Sequence, residues 1–316
     1  MHSRVTGSPL SEPADQLRVV VLGGTGFVGR AVSAAFTDHG HDVLVVSRRP
    51  QATSGGVRFV ALDLATAEAG EIADLLVAER ADVVVNAAGG MWGLTDEQMY
   101  DVNVNLVGRL IEAVAAVGHR PRLVHLGTVH EYGLVPVGEL MAETMTPAPV
   151  MAYGALKLTC TEAITEAVDQ GRIDGVTLRI GNVVGAGQPG HSLLGVVVQR
   201  LREAHEAQAP LKLELGPLGS QRDFLGLTDA VTAIVAAATV DRLDARVINV
   251  GRGTASSARD MVTALIDVSR VPTELVEAAP QQAVETHWQC MDVSLAHRAL
   301  GWTPKIGPDE ELRTLW

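Results

Sequence analysis

Short apolar runs alternate with longer amphipathic stretches through most of the chain. Residues 17–22, 42–47, 57–62, 82–86, 122–126 and 176–180 are runs rich in Val, Leu and Ile. Strands that are apolar without interruption need cover on both faces, which a parallel sheet obtains from the helices that link its strands. The segments between them fit that role: residues 27–39, 70–80, 96–117 and 151–170 have helical period and length. The alternation predicts an α/β fold, a doubly wound parallel sheet with helices on both sides. Beyond residue 180 the regularity breaks. Residues 181–192, with several glycines and a proline, read as a functional loop, 193–207 as a helix and 211–215 as a short strand. Residues 229–239 return to helix, and 246–250 read as the last strand of the main sheet. The tail, 258–316, reads as helices with Pro-rich connections. The expected organisation is a leader at 1–16, a nucleotide-binding domain at 17–185 that regains 226–250, and a smaller C-terminal substrate-binding lobe from 186–225 and 251–316.

Composition narrows the class. The 316 residues are 47% hydrophobic and 20% charged, as in globular proteins. No apolar stretch approaches the ~20 residues of a membrane span. The Ser- and Pro-rich leader lacks the apolar core of a secretion signal and reads as disordered. A cytoplasmic protein is the expectation. A net charge of −12 argues against nucleic acid as a partner, because phosphate backbones need clustered Lys and Arg. A small anionic ligand needs only a few aimed arginines. Neither the two cysteines, Cys160 and Cys290, nor the ten histidines show metal-ligand spacing, so no metal is expected.

The chemistry is concentrated at the carboxyl ends of the expected strands, where open α/β sheets bind ligands. Gly23-Gly24-Thr25-Gly26-Phe27-Val28-Gly29 closes the first strand and opens the first helix. Such a turn lets backbone approach a dinucleotide pyrophosphate and turns free helix N–H groups toward it, as in Rossmann-type folds. Tyr153 and Lys157 stand four residues apart, on one face of a helix. Tyr153 can protonate an alkoxide formed when hydride reaches a carbonyl. Lys157 favours its ionised form by charge and can hold the nicotinamide ribose. Thr128 can donate to the carbonyl oxygen. At the end of the second strand, Ser47-Arg48-Arg49 stands where NAD enzymes carry a carboxylate, which suits a 2′-phosphate and favours NADPH over NADH. Either arginine could serve. Arg222 offers a fork for a diphosphate, while Arg179, at a strand end, reads as structural. Asn182 can hydrogen-bond substrate phosphate, and His191 and Ser192 in the Gly-rich segment could reach a sugar.

On these motifs the chain resembles the extended short-chain dehydrogenase/reductase family from about Leu17 to its C-terminus. Gly23-x-x-Gly26-x-x-Gly29 is similar to that family's phosphate turn. Further matching segments are Leu178-Arg179-Ile180-Gly181-Asn182-Val183-Val184-Gly185, Arg222-Asp223-Phe224 and Leu300-Gly301-Trp302-Thr303-Pro304-Lys305. The resemblance implies that Asp63 and Leu64 meet adenine and that Ala87, Ala88 and Gly89 line the cofactor after Asn86. It also implies that Asn103 is the family's helix asparagine, although the usual Gly-Thr pair is replaced here by Leu106-Val107. The arginine of the Arg-Asp-Phe motif holds the diphosphate in sugar-nucleotide members.

Two segments, Val124 to Gly133 and Ser192 to Gly195, resemble most the 4-ketoreductases of dTDP-deoxysugar pathways that supply antibiotic glycosylation. The implied activity is NADPH-dependent reduction of the 4-keto group of a dTDP-4-keto-6-deoxysugar. A nucleotide-sugar 4-epimerase that retains NAD uses the same residues and is the alternative. Sugar-nucleotide 4,6-dehydratases carry an Asp-Glu pair after the catalytic Thr; Val129 and His130 stand there, and Val129 can be neither acid nor base. His130 contacts substrate, assists proton delivery, or is satisfied within its loop; Glu131 braces that loop. Non-catalytic relatives of this fold lose the Tyr or the Lys, and this chain keeps both. By fold-level analogy the helices at 96–117 and 151–170 pair into a four-helix bundle, which implies a homodimer.

Overall fold

The computed structural model describes residues 16–49, 56–279 and 288–316. Residues 1–15 of the expected leader and residues 280–287 of the tail lie outside the described residues. In chain order the strands are β1 (Arg18–Leu22), β2 (Asp42–Ser47), β3 (Arg58–Ala61), β4 (Val83–Asn86), β5 (Arg122–Thr128), β6 (Asp174–Ile180), β7 (Asn182–Val184), β8 (Leu211–Leu215), β9 (Gln221–Gly226), β10 (Val247–Val250), β11 (Ala255–Ser257) and β12 (Thr273–Glu277). The α-helices are α1 (Phe27–Asp38), α2 (Ala69–Ala78), α3 (Asp96–Tyr100), α4 (Leu106–Ala116), α5 (Ala152–Asp169), α6 (Leu193–Glu206), α7 (Leu227–Thr239), α8 (Ala258–Ser269), α9 (Ser294–Leu300) and α10 (Pro308–Leu315).

Seven strands form one parallel sheet in the order β10-β6-β5-β4-β1-β2-β3. The two-residue period of a strand divides its side chains between two cores. Val19 and Val21 pack with Val32 and Phe36 of α1 and Ala230 and Ile234 of α7. Val20 and Leu22 face the other way, onto Ile72 and Leu76 of α2, Leu110 of α4 and Ile164 of α5. The chain runs outward from β1 to β3 and then returns to β4, beside β1. That reversal opens a crevice above the carboxyl ends of β1 and β4.

The sequence-based reading of this sheet holds, and three departures lie outside it. Residues 181–192 are not all loop: β7 pairs in parallel with β9, which also pairs with β11, in a three-stranded sheet. The tail is not all helix, since β12 pairs in parallel with β8. These strands have only three to six residues, so each takes its stability from partners distant in sequence. Finally, the segment read as one helix at 96–117 is broken: the π-helical turn Asp101–Asn105 separates α3 from α4. Among the described residues no helix is long and apolar enough to cross a membrane.

Candidate active site

The glycine turn is built for close approach. Gly23 has φ +74°, and a Cβ there would lie 2.8 Å from Ala87 O and from Ala88 N, on the chain leaving β4. A Cβ on Gly29 would collide with the carbonyl oxygen of Gly23. Helix α1 begins at Gly26 with no side-chain cap, so its first N–H groups are left for an external acceptor. A pyrophosphate is such an acceptor, and these residues fit one.

From this turn a cleft runs in two directions. One arm is lined by Gly23, Thr25, Gly26, Ser47, Arg48, Asp63, Leu64 and Ala87 to Gly90. At its end Arg48 and Arg49 share a pocket with Thr25 and Asp63. The Ser47 hydroxyl donates to Arg49 O at 2.9 Å, and Asp63 Oδ1 accepts from Ala65 N–H at 3.1 Å, so both side chains also shape their own turns. The other arm is lined by Gly26, Phe27, Val28, Gly29, Ala87 to Gly90, Asn103, Thr128, Tyr153, Lys157, Gly181 and Val183. All the residues expected to meet the cofactor therefore border one continuous cleft. The π-helical turn holds Asn103 in place: its Nδ2 donates to Gly90 O at 2.9 Å and Met99 O at 2.7 Å, while its buried Oδ1 has no protein partner. Extra backbone turns of this kind recur at functional sites.

Thr128 ends β5, and Tyr153 and Lys157 follow from the first turns of α5. The Thr128 hydroxyl accepts from His130 N–H at 3.3 Å, which leaves its own proton free for a ligand. Its backbone N–H donates to Glu131 Oε1 at 2.9 Å. Glu131 is fully buried; its Oε2 accepts from Arg179 Nε at 2.8 Å and Thr161 Oγ1 at 2.9 Å. Burial works against the Arg179 charge, but Glu131 and Tyr132 outweigh it and raise its pKa. Glu131 is thus a brace and Arg179 is structural, as their sequence positions suggested.

Burial, followed by the charge of Glu131, pushes the Tyr153 phenol up to about 12, so it is a firmly protonated donor. Burial also lowers the Lys157 pKa, and its Nζ lies 3.0 Å from His125 Nε2. His125 is 1% exposed, and its Nδ1 lies 3.0 Å from Asn86 Nδ2. Asn86 Oδ1 in turn accepts from Ala88 N–H at 3.2 Å, which ties the pair to the chain leaving β4. The sequence reading used His125 only as part of a motif, although a histidine inside the apolar run of β5 was the available signal.

The structure also joins His130, Asn182 and Arg222 through Gln289, which the sequence reading missed. Gln289 Oε1 accepts from Arg222 Nη1 at 3.0 Å and Asn182 Nδ2 at 3.2 Å, and its Nε2 lies 3.3 Å from His130 Nδ1. Ser192 departs from expectation. It caps α6, accepting from Gly195 N–H at 3.1 Å and donating to Pro189 O at 2.7 Å, so its hydroxyl is engaged. His191 is exposed, with its ring 5.0 Å from that of Trp92, an exposed residue on the facing loop that the sequence did not single out.

Buried His125 and half-buried His130 make stability depend on pH. Burial, then the Lys157 charge, holds His125 well below its ordinary value; burial, then Arg222, brings His130 down to about 4. Unfolding returns both to an ordinary value near 6.5. Below that pH the unfolded chain binds more protons, so stability falls as the pH drops from about 6.5 toward 4, by roughly 1.4 kcal/mol per unit per group. Urea midpoints at about pH 5 and pH 7.5 should show the loss, and His130→Asn should lessen it.

The chain matches the sequence profile described as the NAD dependent epimerase/dehydratase family over residues 19–251. It is 53% identical over 311 residues to a dTDP-6-deoxy-L-talose 4-dehydrogenase (NAD(P)(+)) of Kitasatospora kifunensis, covering 98% of this chain and 96% of that protein. It is 28% identical over 329 residues to a UDP-glucose 4-epimerase of Corynebacterium glutamicum, covering 95% and 93%. Among solved structures, the Thermus thermophilus UDP-glucose 4-epimerase complex with NAD superimposes with a TM-score of 0.80 at 26% identity, covering 94% of this chain and 97% of that one. With a cleft shaped for a dinucleotide and a Thr, Tyr and Lys at one end of it, the chain belongs to the NAD dependent epimerase/dehydratase family, the extended short-chain dehydrogenase/reductases, and is an NAD(P)-dependent oxidoreductase.

Proposed function

We propose that this enzyme interconverts a 4-keto and a 4-hydroxyl group on a dTDP-linked 6-deoxysugar, and that NADPH is the preferred reductant. The observation that carries the reading is the convergence of Thr128, Tyr153 and Lys157 beside a glycine cradle that ends in two arginines. The similar Kitasatospora protein is named for the oxidation; a catalyst of that direction also catalyses the reduction.

Bound NADPH supplies the hydride. Thr128 directs its free O–H at the carbonyl oxygen and polarises it. Tyr153, protonated throughout the working range, gives its proton to that oxygen as charge develops there. Lys157 shares its proton with His125 and serves the phenol as the nearby cation when the proton must return. Arg222 and Asn182 take the diphosphate. Val129 and His130 supply no acid–base pair for loss of water, which supports redox chemistry without elimination.

The exposed pair Arg48 and Arg49 supports the 2′-phosphate preference. Replacing both by Ala should weaken NADPH binding roughly 10–100-fold, the loss of one charge-assisted hydrogen bond of about 1.5–3 kcal/mol, with NADH affinity unchanged. Titration of nicotinamide fluorescence reads both. A cytoplasmic homodimer built on α4 and α5 completes the proposal, and light scattering gives its mass.

The deciding experiment incubates the protein with dTDP-6-deoxy-L-talose and NADP+, with NAD+ in parallel. It follows reduced nicotinamide and identifies the sugar by NMR. Formation of the 4-keto sugar with matching cofactor reduction supports the reading. No net cofactor reduction, with tightly held NAD and inversion at carbon 4, would replace it with the epimerase.

A further inference from the structure

Gln289 connects three residues that belong to different elements: His130 after β5, Asn182 on β7 and Arg222 on β9. The amide's orientation follows from its neighbours. A guanidinium has only donors, so the atom 3.0 Å from Arg222 Nη1 must be the oxygen. The amide nitrogen then faces His130 Nδ1 and donates to it. A ring nitrogen that accepts carries no proton, so the proton of neutral His130 is on Nε2.

We propose that Gln289 is a positioning residue that fixes His130 as a neutral Nε2–H donor to a sugar oxygen, while holding Arg222 and Asn182 ready for the diphosphate. The sugar and diphosphate assignments rest on the nucleotide-sugar reading; the tautomer does not. Gln289 is 6% exposed, so its amide must be satisfied by these partners rather than by water.

The surrounding charges fit a neutral ring. Burial and the Arg222 charge both disfavour imidazolium. Glu131, next in the chain, engages Thr128, Thr161 and Arg179. Asp223 accepts from the N–H groups of Arg252, Gly253 and Met291. Tyr153 is held protonated, and Cys290 beside Gln289 has its pKa raised to about 11, so it carries no charge. Lys157, further along α5, faces His125. Among the described residues no carboxylate is therefore left to stabilise a charged His130. A neutral imidazole at such a place donates a hydrogen bond without acting as a strong acid.

The test uses Gln289→Glu, which keeps the shape but presents only acceptors. Imidazole nitrogen NMR of the wild-type enzyme should show Nε2–H for His130 and no ionisation down to about pH 5. In Gln289→Glu the proton should move to Nδ1 and the ring should ionise near or above its ordinary value. kcat/KM for the dTDP-sugar should fall about tenfold, mainly through KM, and acquire a new ionisation, while NADPH affinity stays unchanged. A purely structural residue would tolerate this isosteric change without altering the pH profile. Gln289→Leu, verified as folded by its NADPH affinity, should give mixed tautomers. The proposal is overturned by a wild-type Nδ1–H tautomer, by His130 titrating near its ordinary value, or by superimposable wild-type and Gln289→Glu profiles. If wild-type enzyme turns over no nucleotide sugar, the functional reading fails, and the NMR arm alone decides the tautomer.

Discussion

Tyr153→Phe is expected to lower kcat by about 10²–10⁴-fold, the usual contribution of a positioned general acid. NADPH affinity should be unaltered, because the substitution removes one oxygen from a half-buried ring at the border of the cleft and leaves the glycine turn intact. Single-turnover mixing of enzyme, NADPH and keto sugar separates the two quantities, since only the chemical step should slow. Retention of more than about a tenth of the wild-type rate would mean that another group delivers the proton. His125 cannot substitute directly. Its two ring nitrogens already face Asn86 and Lys157, and any influence it has on the phenol passes through the lysine.

Glu131→Ala should be the most damaging substitution for the fold. It removes the acceptor of the Thr128 N–H, the Thr161 hydroxyl and the Arg179 guanidinium together. Arg179 is 4% exposed and would remain charged without its carboxylate. Breaking a buried pair in this way costs about 3–5 kcal/mol, a large part of the ~5–15 kcal/mol that holds a domain folded. Urea denaturation should give a markedly lower midpoint at unchanged slope. The Tyr132 ring, which lies under the guanidinium at 4.5 Å, offers only partial compensation. Thr128 would lose its backbone anchor, so surviving folded enzyme should also turn over more slowly.

What could be read in advance was what the chain encodes locally. The glycine turn, the strand ends and the Tyr153–Lys157 pair are defined by spacing within a few residues, and each lies where its spacing implied. Strands β1, β2 and β4 were legible because burial on both faces makes nearly all of their interior positions apolar. The π-helical turn was not, because Asp101-Val102-Asn103-Val104-Asn105 continues the helical pattern and has no Gly or Pro to mark a break. Strand β7 is hidden among glycines and β12 follows a helix after a single Pro-containing connection; both depend on distant partners. Ser192 was misread for a different reason. A Ser just before the apolar run Leu193-Leu194 is an N-cap signal, and the cap takes its hydroxyl. Gln289 had no local signal at all, since only the folded chain brings it to His130.

That last contact also bears on the order in which the molecule assembles. His130 and Gln289 are 159 positions apart in sequence, and Arg222 and Gln289 are 67 apart. Contacts between such distant segments carry a large loop-closure entropy and tend to form late, after the more local βα units have collapsed. The cofactor cleft is built mainly from residues before 190, whereas the Gln289 junction needs nearly the whole chain. A newly made chain would therefore gain its glycine-turn cleft before its Gln289 junction. Amide exchange around Gln289 should accordingly report opening at lower free energy than exchange in β1 or β4, so that this junction is the first to part when the native state loosens.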